Sequence, residues 1–310
     1  MTRAAALLVA LLAAAPAQAA TQVEDVVDAA AAVGGVTLEF ASGARAAGLA
    51  EAQTASSSGV TALGWNPAGL AGTRGFAAAM TYEALPAGDV FDNVALACGW
   101  PSFAVGAELG FLNYANEISR DSTSVSQGEL VLSDVVIRAG AAVRADALFG
   151  REAAVGATLE VLGGTFEVVG GRGVPKSAAG LGALVRANPR LSLGLSLVHQ
   201  GISALKDGPA AVRGGAAYTV LDPVLLCGDL GYRLSDGAIE AALAVEWSPV
   251  RALHLRAGYH LRGGTTGPGG LTGLAAGLGV RLAMFALDYS VQPFGRFGEA
   301  HRVSVEFSRI

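Results

Sequence analysis

The feature that most restricts this chain is an alternation of side-chain character with a period of two, sustained over most of its length. In Leu191-Ser192-Leu193-Gly194-Leu195-Ser196-Leu197 every leucine falls on one face of an extended chain and every small or polar residue on the other. Ile239, Ala241, Leu243, Val245 and Trp247 alternate in the same way with Glu240, Ala242, Ala244 and Glu246. Leu253 to Leu261 and Phe285 to Gln292 repeat the pattern, with His254, Arg256, Gly258 and His260, and then Asp288, Ser290 and Gln292, on the second face. Successive Cβ atoms of a strand point to opposite faces, so the pattern specifies strands whose two faces meet different environments.

Alternation by itself also suits a soluble sandwich. Composition argues against one. Hydrophobic residues make up 52% of the 310 positions and charged residues 15%, where a soluble domain carries about 25% charged residues. The apolar face recurs on nearly every strand, while the other mixes Gly, Ala, Ser and charge. Long uncharged runs such as 263–280 are crowded with Gly, Pro and Thr and do not read as spanning helices. Backbone polar groups in lipid must be satisfied internally, which leaves a closed barrel. The reading is therefore all-β: a 14-stranded antiparallel transmembrane β-barrel over residues 76–310. Its strands begin near Phe76, Asn93, Phe103, Asp134, Ala153, Ala179, Leu191, Ala211, Val224, Ile239, Leu253, Leu271, Ala283 and Arg302. Most run about 9–11 residues, the length a tilted strand needs to cross a bilayer.

The links alternate too. Pro101-Ser102, Asn188-Pro189, Leu221-Asp222-Pro223 and residues 248–251 are short, whereas 116–128, 163–176, 201–209, 263–270 and 293–300 are longer and more polar; Ser235-Asp236-Gly237 is the exception. Short turns on one side and long loops on the other are the habit of outer-membrane barrels, with the short side periplasmic. An even strand count puts both chain ends there. The first 19 residues read as a signal peptide: Arg3, an apolar run from Ala4 to Ala15, Pro16, then Ala17-Gln18-Ala19.

Residues 20–75 break the alternation. Val23, Val26, Val27 and Ala30 recur at helical spacing, and a small, turn-rich stretch ends in Trp65-Asn66-Pro67-Ala68-Gly69-Leu70-Ala71. A 14-stranded lumen is too wide for wall side chains to fill, since about eight strands is the size they can, so this segment is expected to be a plug. Pro67 restricts Asn66 to extended backbone, Asn66 can bond its own local chain, and Gly69 permits a tight reversal. Trp65, Asn66, Pro67, Gly69 and Leu70 are the candidate plug motif.

Gly43-Ala44-Arg45 with Trp65-Asn66-Pro67-Ala68-Gly69-Leu70 resembles the N-terminal hatch signature of the PorV/PorQ family, within the wider FadL-like (OMPP1/TodX) outer-membrane barrels. Leu287 to Gly295 and Gly298 to Ser304 resemble the end of that family. The resemblance spans residues 38–310, with specific motifs at the two ends and only strand rhythm between. It departs at Ile310, where an aromatic is common, and at Leu49-Ala50, where Met-Gly is frequent. The resemblance implies a protein-interaction barrel of the secretion-associated, type IX-like kind, with secreted cargo or translocon proteins as partners. The alternative it implies is a channel for uptake of fatty acids or other hydrophobic small molecules.

Catalysis finds no support. The histidines His199, His254, His260 and His301 have no metal-ligand spacing, and no cofactor is implied. Gly170 to Ser177 looks like a phosphate loop but carries Pro175 before Lys176. Cys98 and Cys227 fall on opposite faces and read as small apolar residues. A net charge of −5 offers no basic surface for nucleic acid. Strand parity sends a mixed set of charges into the lumen: Arg138, Arg144, Glu160, Arg213, Glu240, Arg256 and Asp288, with Glu83, Glu108, Arg186, Asp229, Arg233, Glu246 and Glu306. They can pair across strands, or some of the arginines can bind a carboxylate head-group.

Overall fold

The computed structural model describes residues 36–309 apart from 41, 116, 121–125, 131, 167–170, 173–175, 204–208, 263–270 and 296–297. The expected signal peptide and the helix expected near residues 23–30 lie outside the described residues.

Fourteen long strands form the wall: β1 Gly75–Ala84, β2 Val90–Gly99, β3 Phe103–Asn113, β4 Leu132–Arg144, β5 Ala153–Phe166, β6 Lys176–Asn188, β7 Leu191–Ser203, β8 Ala211–Leu221, β9 Val224–Arg233, β10 Ile239–Val250, β11 Leu253–Arg262, β12 Leu274–Leu282, β13 Phe285–Pro293 and β14 Glu299–Arg309. Each pairs antiparallel with its sequence neighbours, and β1 closes the cylinder on β14 in the register Phe76↔Arg309 to Ala84↔His301. No sheet edge is left among them, which is what a wall in lipid requires. A short hairpin, Glu117–Arg120 with Ser126–Leu130, stands in the connection after β3.

The outward face carries the leucines and aromatics of the alternation. Leu243 is 71% exposed and Leu195 58%. Near the short turns, Phe76, Phe285 and Phe307 cluster, and Trp100 stacks on Phe103 with ring centroids 4.6 Å apart. No helix among the described residues is long and apolar enough to cross a membrane. Strand starts at the short-turn side fall within two residues of expectation, as do β4, β8 and β10 at the long-connection side, whereas the other four there differ by three residues. β2 begins at Val90, β6 at Lys176, β12 at Leu274 and β14 at Glu299. At β2, β6 and β14 backbone pairing continues beyond the depth at which the outer face must be apolar, so the pattern fades before the ladder does; β12 instead starts later than expected, after the turn Leu271–Gly273.

The inward face is occupied. Residues 36–73 pack inside the cylinder as short helical turns: Val36–Glu39, Ala44–Gly48, Val60–Gly64 and Pro67–Gly72. Ala44–Gly48 lies against β11–β14, and Pro67–Gly72 against β2–β6. The segment reaches from the short-turn mouth into the long-connection third. Thr37 Oγ1 bonds Asp134, two residues from the long-connection end of β4, and the chain leaves at Arg74 on the short-turn side.

Candidate functional site in the lumen

The Asn-Pro motif sits four to five residues inside the wall, about 15 Å from the short-turn ends. Asn66 is extended at φ −149 and ψ 104, and its Oδ1 accepts from Ala68 N at 3.2 Å, capping the Pro67–Gly72 turn. Its Nδ2 faces Thr54 O at 2.7 Å, Ala183 O at 3.2 Å and Leu195 O at 3.4 Å, tying the segment to itself and to β6 and β7. Trp65 Nε1 donates to Ser42 O at 3.1 Å, and Leu70 is fully buried. Gly69 does not reverse the chain, since it is not at positive φ. It is needed for space: a Cβ there would lie 2.7 Å from Ser57 O and 2.8 Å from Ala62 Cβ. Wall glycines serve the same purpose. A Cβ on Gly156 would meet Pro67 O at 2.6 Å, and one on Gly182 would collide with Asn66 Oδ1.

Several lumen charges fasten this segment directly: Arg138, Glu108, Glu246, Asp229 and Arg144. Arg138 is fully buried; it donates to Glu160 Oε1 at 3.1 Å, pairs with Glu108, and reaches the carbonyls of Leu38 and Phe40 at 2.9 and 3.0 Å. Glu108 accepts from Ser42 Oγ, and His199 Nδ1 lies 2.9 Å from Glu160. His199 sits at φ 54, at a break in the β6–β7 register. A second group joins Arg256 to Glu246 at 2.6 Å and to Asp288, with Arg45 of the segment on Glu246 at 3.0 Å. In a third, Arg213 lies 3.6 Å from Glu240, which also holds Arg233. Asp229 accepts from Thr54 N at 2.8 Å. Arg144 differs from the other candidate arginines: its hydrogen bond is to a carbonyl, Ala71 O, at 3.2 Å.

One feature of the lumen was missed by the sequence reading. Phe91, Leu112, Val136, Leu162 and Ala178 point inward from β2 to β6 and form an apolar patch in the long-connection third. Leu38 and Phe40 cover it, with Phe40 stacked on Phe91 at 5.3 Å, and Leu85 and Tyr114 at its edge. Burial and the adjoining Asp134 carboxylate push the Tyr114 phenol up. A signal existed: Val135-Val136-Ile137, Phe111-Leu112 and Val161-Leu162 are apolar on both faces. A reading that assigns the lumen to small and polar groups passes over it.

Two cavities open at the other end. One, about 460 Å³, is lined by Ala68, Ala71, Arg74, Arg144, Leu184, Arg186 and Arg190 among others; the second, about 480 Å³, by Arg45, Gly72, Arg281, Met284 and Glu306 among others. They share Arg45, Ser56, Ser58, Gly72 and Arg74. Among the described residues no three His, Cys, Asp or Glu converge as metal ligands, and both cysteines are free thiols. His254 faces Ser248 at 2.8 Å and His260 faces Glu51 at 3.4 Å, each separately.

No protein-family model matches this chain, and no curated protein matches it in sequence. Solved structures do match its shape. The toluene transporter TbuX of Ralstonia pickettii superposes with a TM-score of 0.62 at 13% identity, covering 87% of this chain and 99% of that one. The toluene transporter TodX of Pseudomonas putida gives 0.61 at 14%, covering 86% and 98%. The CymD monoaromatic hydrocarbon channel gives 0.59 at 14%, covering 88% and 98%. The likeness is one of fold: a closed antiparallel β-barrel like those of these channels. None of these three brings a PorV/PorQ assignment with it.

Proposed function

We propose that this protein is an outer-membrane channel that admits small hydrophobic molecules, with residues 36–73 as its plug. The observation that carries the reading is the inward apolar patch of Phe91, Leu112, Val136, Leu162 and Ala178. An aqueous pore has no physical use for such a patch, because apolar surface facing water costs about 25 cal/mol per Å². It lies toward the long connections, where a solute from outside arrives, and the protein's own Leu38 and Phe40 fill it. A toluene-sized solute would take the place of those side chains, exchanging one apolar contact for another. Their removal disturbs the N-terminal stretch whose carbonyls Arg138 holds, and so couples binding to the plug. The names of the structural neighbours favour the same class of solute. The secretion role implied by the PorV/PorQ resemblance has support only in the sequence motifs at the two ends of the chain.

The test is uptake of labelled toluene by cells carrying the barrel in their outer membrane. Wild type should raise the rate above that of cells lacking it. Phe91→Glu and Val136→Glu should remove the gain while the barrel still migrates as a folded species on cold-detergent gels. Uptake no faster than in cells without the barrel would end this reading.

A further inference from the structure

The cavity at the short-turn mouth holds an arrangement that the fastening role does not explain. Arg74 Nη1 donates to Ala71 O at 2.8 Å, and Arg144 Nη2 donates to the same oxygen at 3.2 Å. Two guanidinium groups thus converge on one carbonyl, Arg74 also reaching Thr73 O at 3.1 Å, and among the described residues neither has an ion-pair partner. Arg190, in the turn between β6 and β7, lines the same cavity, and its side chain has no hydrogen bond or ion pair among the described residues. Arg186 is joined to Glu152 at 3.3 Å, but both side chains are more than half exposed, where such a pair contributes little. Like charges this close cost energy unless an anion lies between them, and each guanidinium keeps donors that a carbonyl cannot use.

The surroundings are net positive, although Asp146 and Glu152 also line the cavity. Counting residues in the short turns, at Arg74, and within two residues of the strand ends on that side, eight arginines stand against three carboxylates. This excess sits in a chain whose net charge is −5. Part of it is not placed for lipid headgroups around the barrel: Arg74, Arg144, Arg186 and Arg190 line the cavity.

We propose that this mouth is an oxyanion site, in which Arg74 and Arg144, with Arg190 at the rim, bind a phosphate or carboxylate group in the 460 Å³ cavity. Bidentate guanidinium contacts to two oxygens of one anion replace the shared carbonyl contact and relieve the repulsion. Ala71 belongs to the last turn of Pro67–Gly72, and Arg74 is the link to β1. An anion bound there therefore pins the lower end of the inserted segment to β4. The proposal stands apart from what solute the barrel admits.

The experiment uses the whole mature barrel and inorganic phosphate as the probe. The thermal midpoint of the heat-modifiable gel shift is read against phosphate, with chloride at matched ionic strength as the reference. Wild type should show a saturable rise. Arg144→Gln and Arg74→Gln should each weaken the apparent affinity by about tenfold or more, the worth of a charge-assisted contact. Arg144→Lys, which keeps the charge but loses the fork, should fall between, and Arg190→Gln tests the site through an exposed turn residue. Arg251→Gln, in a turn outside the cavity, should respond as wild type. Phosphate also stabilises proteins by general exclusion from their surface. An equal rise in all these variants would mean that effect alone and would overturn the site, as would no rise in wild type. Repeating the titration in nanodiscs with and without phosphatidylglycerol separates the sources: a headgroup occupant would blunt the phosphate response only where the anionic lipid is present.

Discussion

Arg138 and Arg144 lie on the same face of the same strand, six residues and about 20 Å apart, yet their surroundings are opposite. Arg138 is sealed between two carboxylates and two carbonyls of the inserted segment, with every direction of its fork answered. Arg144 meets one carbonyl, shares it with a second arginine, and looks into a cavity. Parity along a strand tells which face a side chain takes. Depth along it decides whether the charge is a fastener or is available to something else.

The largest effect should come from removing what the fasteners hold. Deleting residues 38–72 should leave strands that can still pair and a lumen open to water. In planar bilayers the deleted barrel should show large, steady conductance that the intact protein lacks. A folded but silent deletion would mean that the wall and loops close the lumen without the segment, and the mid-lumen charges would lose their assigned purpose.

Next in size is Arg138→Leu. It leaves Glu108 and Glu160 buried without their cation and should cost about 3–5 kcal/mol, read as a lower midpoint of the heat-modifiable shift. Arg144→Leu, measured alongside, should cost less than about 1 kcal/mol, as an exposed or half-exposed charge does. Equal losses would erase the distinction between the two arginines.

The wall gives an internal scale. Leu243→Arg places a charge on the lipid face and should destabilise by about 2–4 kcal/mol near the midplane. Ser196→Arg faces inward, where a hydrated lumen would tolerate it. Ser196 is only 2% exposed, however, so the substitution should cost about 1–3 kcal/mol by overpacking, measured by the same midpoint. A neutral Ser196→Arg would show that the inserted segment yields easily, which would bring the mid-lumen closer in character to the mouth.

How much of this was legible varies with the kind of signal. The strand count, the short-turn starts and the apolar exterior follow from a period-two pattern that each strand carries locally. The long-connection starts of β2, β6 and β14 were read less well, because hydrogen bonding outlasts the apolar demand of the bilayer there. The Asn66–Pro67 turn was readable as a compact turn from the restrictions of Pro and the local bonding of Asn. That Gly69 is there for clearance was not, because the atoms it makes room for, Ser57 O and Ala62 Cβ, come from other turns of the segment.

The sequence by itself determined the faces: which residues meet lipid, which turn inward, and that the strands must close on themselves. Those are properties of single strands and of a solvent that cannot bond backbone groups. Only the tertiary structure decided the pairings, because a partner on another strand depends on register and depth. It brought Glu108 and Glu160 to Arg138, set Phe40 against Phe91, and left Arg74 and Arg144 on one carbonyl. Parity is a property of neighbours in the chain. Neutralisation, apolar cover and free charge depend on distances across a cylinder, and those exist only once it has closed around its own N-terminal segment.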